Sequence, residues 1–256
     1  MIPKIIHYCW LSNDTYPDNI QKCINSWKKK LPDYKIMLWD LNRSKACTSE
    51  WVNEAYSLKR YAFAADYIRF YALYHYGGIY LDSDVEVIRN FDSLLKLPYF
   101  IGFDSFGYFE AAVIGCEPQN PWIKECLEYY KNRHFILQDG VLDTQPLPGI
   151  MYNSISKKFV ISKLNVNYSD YHLDKNLYVH PYQYFSPKRH DTGKIKNQNY
   201  TYTIHHYAMS WIPTKIQFLV KIKQILMLFF GSSTIEYLIK IFSLKKIKER
   251  ILSNHK

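Results

Sequence analysis

Paired cysteines, a long apolar run and a leader-like N-terminus are all missing from this 256-residue sequence. The five cysteines, Cys9, Cys23, Cys47, Cys116 and Cys126, are odd in number and form no C-x-x-C pair. Such spacing speaks against a zinc site and against a secreted disulfide framework, so reduced thiols are expected. No stretch reaches the ~18 apolar residues of a membrane span. The opening Met-Ile-Pro-Lys-Ile-Ile-His lacks the apolar core of a signal peptide, and a cytoplasmic location is therefore expected.

Acidic residues are the minority: 33 Lys and Arg face 23 Asp and Glu, a formal charge of +10. The excess is uneven, because nine Lys or Arg and two Glu fall between residues 215 and 256. A basic tail fits nucleic acid, an anionic membrane or a phosphorylated substrate. No nucleic-acid-binding motif accompanies it, so nucleic acid is not expected. Apolar residues make up 48% of the chain, enough for one well-filled globular domain at this length. Aromatic residues reach 17%, with 24 Tyr and 6 Trp, which suits ring stacking on sugars or bases as well as core packing.

Periodicity predicts an α/β order. Lys4–Tyr8 reads as a first buried strand, with Trp10 just past its end. Asp18 is expected to cap a helix whose Ile20, Cys23, Ile24 and Trp27 share one face; Pro32 stops it, and Tyr34–Trp39 is a second strand. Strand, helix and strand within forty residues open a mononucleotide-type unit. A helix follows from Ser49, then a stronger one from about Leu58 to His75, ended by Gly77-Gly78. Ile79–Leu81 is a short strand with Asp82-Ser83-Asp84 at its carboxyl end, and Val85–Ile88 resumes β character. Tyr99–Gly102, Ala111–Gly115 and Thr203–His206 read as further strands, and Pro121 opens a helix. Residues 131–200 show no sustained period and read as loops, short strands and small helices. Two basic amphipathic helices, Ile216–Phe230 and Thr234–Leu252, are separated by Gly231-Ser232-Ser233.

The acidic turn carries the chemistry. Two carboxylates one residue apart at a strand end can share a hard cation such as Mg²⁺ or Mn²⁺. Such an ion bridges the phosphates of a nucleotide diphosphate and neutralises the charge of a leaving group. Acidic turns are common on surfaces; the apolar strand leading into this one sets it apart. Asp66 and Arg69, three apart on one helical face, fit a structural ion pair. They equally fit a site pair in which Arg69 grips phosphate or fixes a carboxylate. Trp10 fits base stacking or core. His205 and His206 are adjacent in a strand and point to opposite faces, so one of them enters the site; His206 is taken as that residue.

The run Ala64–Asp84 carries A-x-D-x-x-R on its helix and G-G-x-Y-x-D-x-D on its strand. It resembles the DXD-containing GT-A family of initiating α-1,6-mannosyltransferases and bacterial capsular polysaccharide glycosyltransferases, glycosyltransferase family 32. It is similar, more distantly, to the catalytic domains of large clostridial glucosylating toxins. The opening segment Ile2–Trp10 and the late His206–Trp211 segment, H-x-x-x-S-W, are similar to that family as well. The likeness runs from about residue 2 to 211 and is patchy between 120 and 200.

This resemblance implies a GT-A fold: one Rossmann-like α/β domain with a mixed central sheet, here with added C-terminal helices. The catalytic domain would occupy residues 1–212, with a nucleotide-sugar-binding part at about 1–115 and an acceptor side at about 116–212. Residues 213–256 would be the basic helical extension. The implied reaction is retaining transfer of a hexose or N-acetylhexosamine from a nucleotide-sugar, UDP-sugar favoured over GDP-sugar, with Mn²⁺ or Mg²⁺. The implied acceptor is a glycan or lipid-linked oligosaccharide in capsular polysaccharide or O-antigen synthesis. Trp10 would lie against the base, and Asp66 and Arg69 near the ribose, sugar and phosphates. Asp82, Ser83 and Asp84 match the metal and donor motif, and His206 or His205, with His206 preferred, matches the late residue that approaches the metal or diphosphate. Ser210 and Trp211 match a loop that closes over the donor.

Glu110 departs from the family pattern, standing near a position where relatives often carry Asn. Together with Asp104 it is a carboxylate to weigh as a nucleophile; without one, a front-face reaction follows. Asp139 and Asp143 suit turns and caps. A nucleotide-sugar hydrolase or a non-catalytic glycan-binding protein on the same fold are the alternatives. The basic tail fits either docking on the domain or contact with an anionic membrane at its cytoplasmic face.

Overall fold

Short runs of Ile, Val and aromatic residues become strands when both their faces can be covered. The computed structural model describes residues 1–12, 14–47, 49–164, 175–208 and 214–241. In chain order the elements begin β1 (Ile5–Cys9), α1 (Asp18–Lys30), β2 (Lys35–Trp39), α2 (Leu41–Ser44), α3 (Glu50–Ser57), α4 (Tyr61–Tyr76) and β3 (Gly78–Leu81). They continue with β4 (Val85–Val87), β5 (Tyr99–Phe103), β6 (Phe109–Cys116), α5 (Pro121–Tyr129) and α6 (Leu147–Ile155). The last are β7 (Val160–Lys163), β8 (Asn176–Val179), β9 (Thr203–His205), α7 (Thr214–Phe230) and α8 (Ser232–Ile241).

Five strands form a mixed central sheet in the order β2-β1-β3-β6-β5, parallel from β2 to β3 and antiparallel at β6 and β5. Side chains alternate across it. On β3, Tyr80 joins a core with Trp51 of α3, Phe70 and Leu73 of α4 and Trp122 of α5. Ile79 and Leu81 face the opposite core, with Ile20, Ile24 and Trp27 of α1. Helices thus flank both faces, as in a GT-A, Rossmann-like fold. The turn after β3 leaves the sheet beside an antiparallel ribbon in which Val85 of β4 pairs with His205 of β9.

Local chemistry explains where the elements start and stop. Asp18 does not cap α1; Pro17 occupies that position, and Asp18 sits in the first turn, where its charge favours the helix dipole. The long helix α4 begins at Tyr61 rather than Leu58, because Lys59 takes φ 56° and breaks the run. Gly78 has φ 97°, and a Cβ there would lie 2.6 Å from the Ile5 carbonyl oxygen. Only glycine lets α4 hand over to β3 this close to β1. Sequence periodicity did not reveal α2, α6, β7 or β8. The pair β7–β8 is parallel, and β7 is exposed or half-buried along its length, so no apolar alternation marks it.

All five cysteines are free thiols, four of them buried. His7 on β1 is fully buried. Burial lowers it to about 4, so the neutral ring donates from Nε2 to the Gly77 carbonyl at 2.8 Å and accepts the Trp39 indole N–H at Nδ1, 3.1 Å. That ring ties β1 and β2 to the turn that launches β3.

The described residues fall into two units, residues 1–188 with 196–208, and residues 189–195 with 214–241. In the second, Ser232 donates to Asp191 at 2.7 Å and Gln224 to the His190 carbonyl at 2.9 Å, joining the short segment to α7 and α8. No described helix is long and apolar enough to cross a membrane.

Replacing His7 by Leu leaves the Trp39 N–H and the Gly77 carbonyl buried without their partner. The expected loss is ~3 kcal/mol of folding stability by urea titration. A loss below ~1 kcal/mol would show that the ring is not a structural tie.

Candidate active site

The strand that delivers the acidic turn is central and buried along its whole length. Asp82 and Asp84 therefore emerge at the carboxyl end of the sheet, where α/β proteins gather ligands. The Asp82 backbone N–H still bonds to Ala112 of β6 at 2.9 Å, and Val85 bonds back to Asp82 at 3.0 Å, so the turn is held at both ends.

Arg69 braces it from α4. The guanidinium, 5% exposed, donates from Nη2 to Asp66 at 3.1 Å and to Asp82 at 3.3 Å, and from Nη1 to the Ala111 carbonyl. Its plane lies over the Tyr80 ring at 4.6 Å. Burial raises Asp66 to about 7 and also raises Asp82, while Arg69 pulls both the other way. The geometry pairs Arg69 with both carboxylates, Asp66 and Asp82.

On the other side, the chain following β9 wraps Asp84. The His205 Nε2 faces Asp84 Oδ1 at 3.4 Å, the His206 backbone N–H bonds to the Asp84 carbonyl at 3.1 Å, and the Ala208 N–H to Asp84 Oδ2 at 2.7 Å. Asp82, Asp84 and His205 offer one ligand atom each, all within 4.8 Å of one another. Two carboxylate oxygens and one imidazole nitrogen are a donor set suited to a divalent cation.

The histidine of this cluster is His205, where the sequence reading placed His206. Strand parity decides it: with His205 opposite Val85, its ring turns toward the acidic turn, and the His206 ring turns away to Glu86 at 2.9 Å. The sequence contained the parity but not the register of β4 against β9.

The remaining candidates spread around this centre. Ser83 is half-buried in the turn. Trp10, also half-buried, donates its indole N–H to the Asp14 carbonyl at 2.9 Å and packs edge-on against Tyr16 at 4.9 Å. Ser210 and Trp211 lie outside the described residues. Asp104 closes its own turn, accepting from Phe106 at 2.8 Å and Tyr108 at 2.9 Å. Asp139 does likewise with Val141, and Asp143 pairs with Arg133 at 2.9 Å. Glu110, 4% exposed on β6, faces the His205 Nδ1 at 3.2 Å. That contact joins β6 to β9 across a separation no local pattern spans.

Electrostatics of the cluster follow from burial and pairing. Burial opposes charge on all three groups, yet Asp84 and Glu110 fall to about 2 beside His205, and His205 rises well above its ordinary value near 6.5 between them. The two carboxylates thus favour the doubly protonated His205 ring. Its stabilisation is complete below pH ~6.5 and fades as pH rises through its raised value. The stabilisation from the carboxylates is present above their ordinary values and lost as pH falls toward 2.

Fold and site together define a GT-A-type α/β protein with a DXD turn able to hold a divalent cation. The family described as "Glycosyltransferase sugar-binding region containing DXD motif" matches residues 17–101. The mannosyl phosphorylinositol ceramide synthase CSH1 of Saccharomyces cerevisiae is 34% identical over 146 residues, 53% of this chain and 38% of that protein. SUR1 of the same organism, a protein of the same description, is 26% identical over 226 residues, 84% of this chain and 57% of that one. A mimivirus protein, the uncharacterized glycosyltransferase L373, is 26% identical over 83% of this chain and 85% of its own length. The chain therefore spans less than two thirds of the two yeast relatives.

A cation that binds Nε2 of His205 must displace its proton. Mn²⁺ affinity is expected to rise with pH across the range in which His205 remains protonated in the cation-free protein, with about one proton released per ion. Calorimetry in buffers of different ionisation enthalpy measures that proton; binding with no proton release would refute His205 as a ligand.

Proposed function

We propose that this chain catalyses glycosyl transfer from a nucleotide-sugar, UDP-sugar before GDP-sugar, with retention and with Mn²⁺ or Mg²⁺. The observation that carries the reading is the Asp82–Asp84–His205 cluster at the end of the central strand, whose two aspartates fall within residues 17–101, the region similar to DXD-containing glycosyltransferases. Asp82, Asp84 and His205 would hold the ion, whose chemistry is to neutralise the diphosphate as the sugar–oxygen bond breaks. Arg69, with Asp66, holds Asp82 in register from below. Trp10 flanks the same end of the sheet, at the close of β1, and would take the base. Ser210 and Trp211 would close over the donor.

The carboxylates weighed as nucleophiles are already engaged. Asp104 caps its own turn, and both oxygens of Glu110 carry hydrogen bonds, from Ala112 and Tyr207. This favours a front-face reaction in which positioning and leaving-group stabilisation supply the rate.

The acceptor we propose is a lipid-linked glycan, which receives the sugar at the cytoplasmic face of a membrane in cell-surface polysaccharide synthesis. The yeast relatives are named for a phosphorylinositol ceramide, a lipid. In the second unit, α7 leaves Phe218, Ile222, Ile225 and Phe229 exposed in line at i, i+4, i+7 and i+11, with Phe229 80% exposed, and Leu219, Leu226, Leu228 and Phe230, also exposed, widen that face. Lys221 and Lys223 lie to either side of it, and α7 has no acidic residue. An apolar stripe edged by lysines matches an anionic interface, with the rings among acyl chains and the ammonium groups at headgroup level.

A panel of UDP- and GDP-sugars offered with lipid-linked and simple sugar acceptors tests the reaction. Transfer is expected with Mn²⁺ and abolished by chelator, and Asp84→Asn is expected to lose at least about 100-fold while staying folded. Water as the only acceptor would replace the reading with a hydrolase, and absence of donor binding would favour a glycan-binding protein. Sedimentation with vesicles of anionic lipid is expected for the wild type and lost with Phe218→Ser/Phe229→Ser; equal pelleting would refute the α7 surface.

A further inference from the structure

Glu110 is a carboxylate buried to 4% exposure, and such a group persists in an interior only where its oxygens are satisfied. Its Oε1 accepts the Ala112 backbone N–H at 3.0 Å and meets the His205 Nδ1 at 3.2 Å. Its Oε2 accepts the Tyr207 hydroxyl at 3.3 Å, and that hydroxyl is joined to Ser186 at 2.5 Å. The Tyr207 ring lies 4.0 Å from the His205 ring, centroid to centroid, covering it. The carboxylate is thus fixed by β6 beneath it and by the segment after β9 above it.

An ionised carboxylate only accepts hydrogen bonds. The proton in the Glu110–His205 contact therefore belongs to Nδ1 of the imidazole. With that nitrogen committed, Nε2 is left turned to Asp84 at 3.4 Å, on the side of the acidic turn. We propose that Glu110 is a positioning residue for the cation site: it holds the His205 Nδ1–H, so that Nε2 is presented to an ion shared with Asp82 and Asp84. The inference rests on the metal reading above. Carboxylates behind metal-bound imidazoles fix ring orientation and raise basicity, and their loss commonly costs 10–100-fold in metal affinity. Two other roles compete. A nucleophile would need a free oxygen, and a mere counter-charge for His205 would need the negative charge but not the acceptor geometry.

Titration of the full chain, freed of metal by chelator, with Mn²⁺ and detection of the free ion by electron paramagnetic resonance separates these roles. Glu110→Ala is expected to weaken binding by about 10–100-fold. Glu110→Gln keeps an oxygen that can accept from Nδ1–H without the charge, and it is expected to recover most of that loss. Alanine binding as tightly as wild type, or glutamine binding as weakly as alanine, would overturn the positioning role. Nitrogen-15 spectra of the wild-type His205 ring with Zn²⁺ bound supply a readout independent of any variant's folding. Nδ1 is expected to be protonated and Nε2 metal-bound; the reverse assignment would overturn the inference. Wild type that binds no ion would remove the metal reading and this inference together. Normal wild-type binding with an unaffected Glu110→Ala would remove this inference alone.

Discussion

A guanidinium buried to 5% exposure has to be compensated by the groups around it, and Arg69 finds that compensation in three elements at once. It reaches Asp66 on its own helix, Asp82 at the end of β3 and the Ala111 carbonyl on β6, with the Tyr80 ring beneath its plane. The Asp82 carboxylate cannot relax away from the sheet without giving up one of the two ion pairs that compensate that cation. One side chain therefore sets the spacing between the long helix and the acidic turn. Truncating one partner of such a pair typically costs ~3–5 kcal/mol, so the turn's position is fixed by the same energy that keeps the domain folded.

The other half of the site is held by a different device. Asp84 collects backbone N–H groups from His206 and Ala208, whereas His205 spans Asp84 and Glu110. Like charge is thereby kept close: three carboxylates, Asp82, Asp84 and Glu110, cluster with one imidazole among them. Without a cation their burial is tolerated because His205 takes up a proton, and a divalent ion can replace that proton's charge. A site that trades a proton for a metal ion needs little rearrangement, which suits preorganised electrostatics.

Much of this was legible in the residue order, though unevenly. The apolar runs and their punctuation gave the strands of the central sheet and the helices α1, α4 and α5 within a few residues. The A-x-D-x-x-R and G-G-x-Y-x-D-x-D segments brought Asp66, Arg69, Asp82 and Asp84 under suspicion together. Less legible were α6, β7 and β8: β7 is exposed or half-buried along its length, and α6 and β8, though they bury several residues, are short elements stabilised by what they pack against. Asp18 reads as a cap because Asp is a good cap in isolation, whereas the Pro17 that occupies the position has no side-chain acceptor.

The sequence alone determined the composition of the acidic turn, the order of strand and helix leading into it and the helical spacing that aligns Asp66 with Arg69. These are local properties, fixed by periodicities of two and 3.6 residues. Tertiary structure alone decided that His205 and not His206 joins Asp82 and Asp84, and that Glu110 stands behind it. Both depend on the register of β9 against β4 and on the meeting of β6 with a segment ninety-five residues away. Adjacent histidines differ only in which face they take, and a register is set by the packed ribbon rather than by either residue.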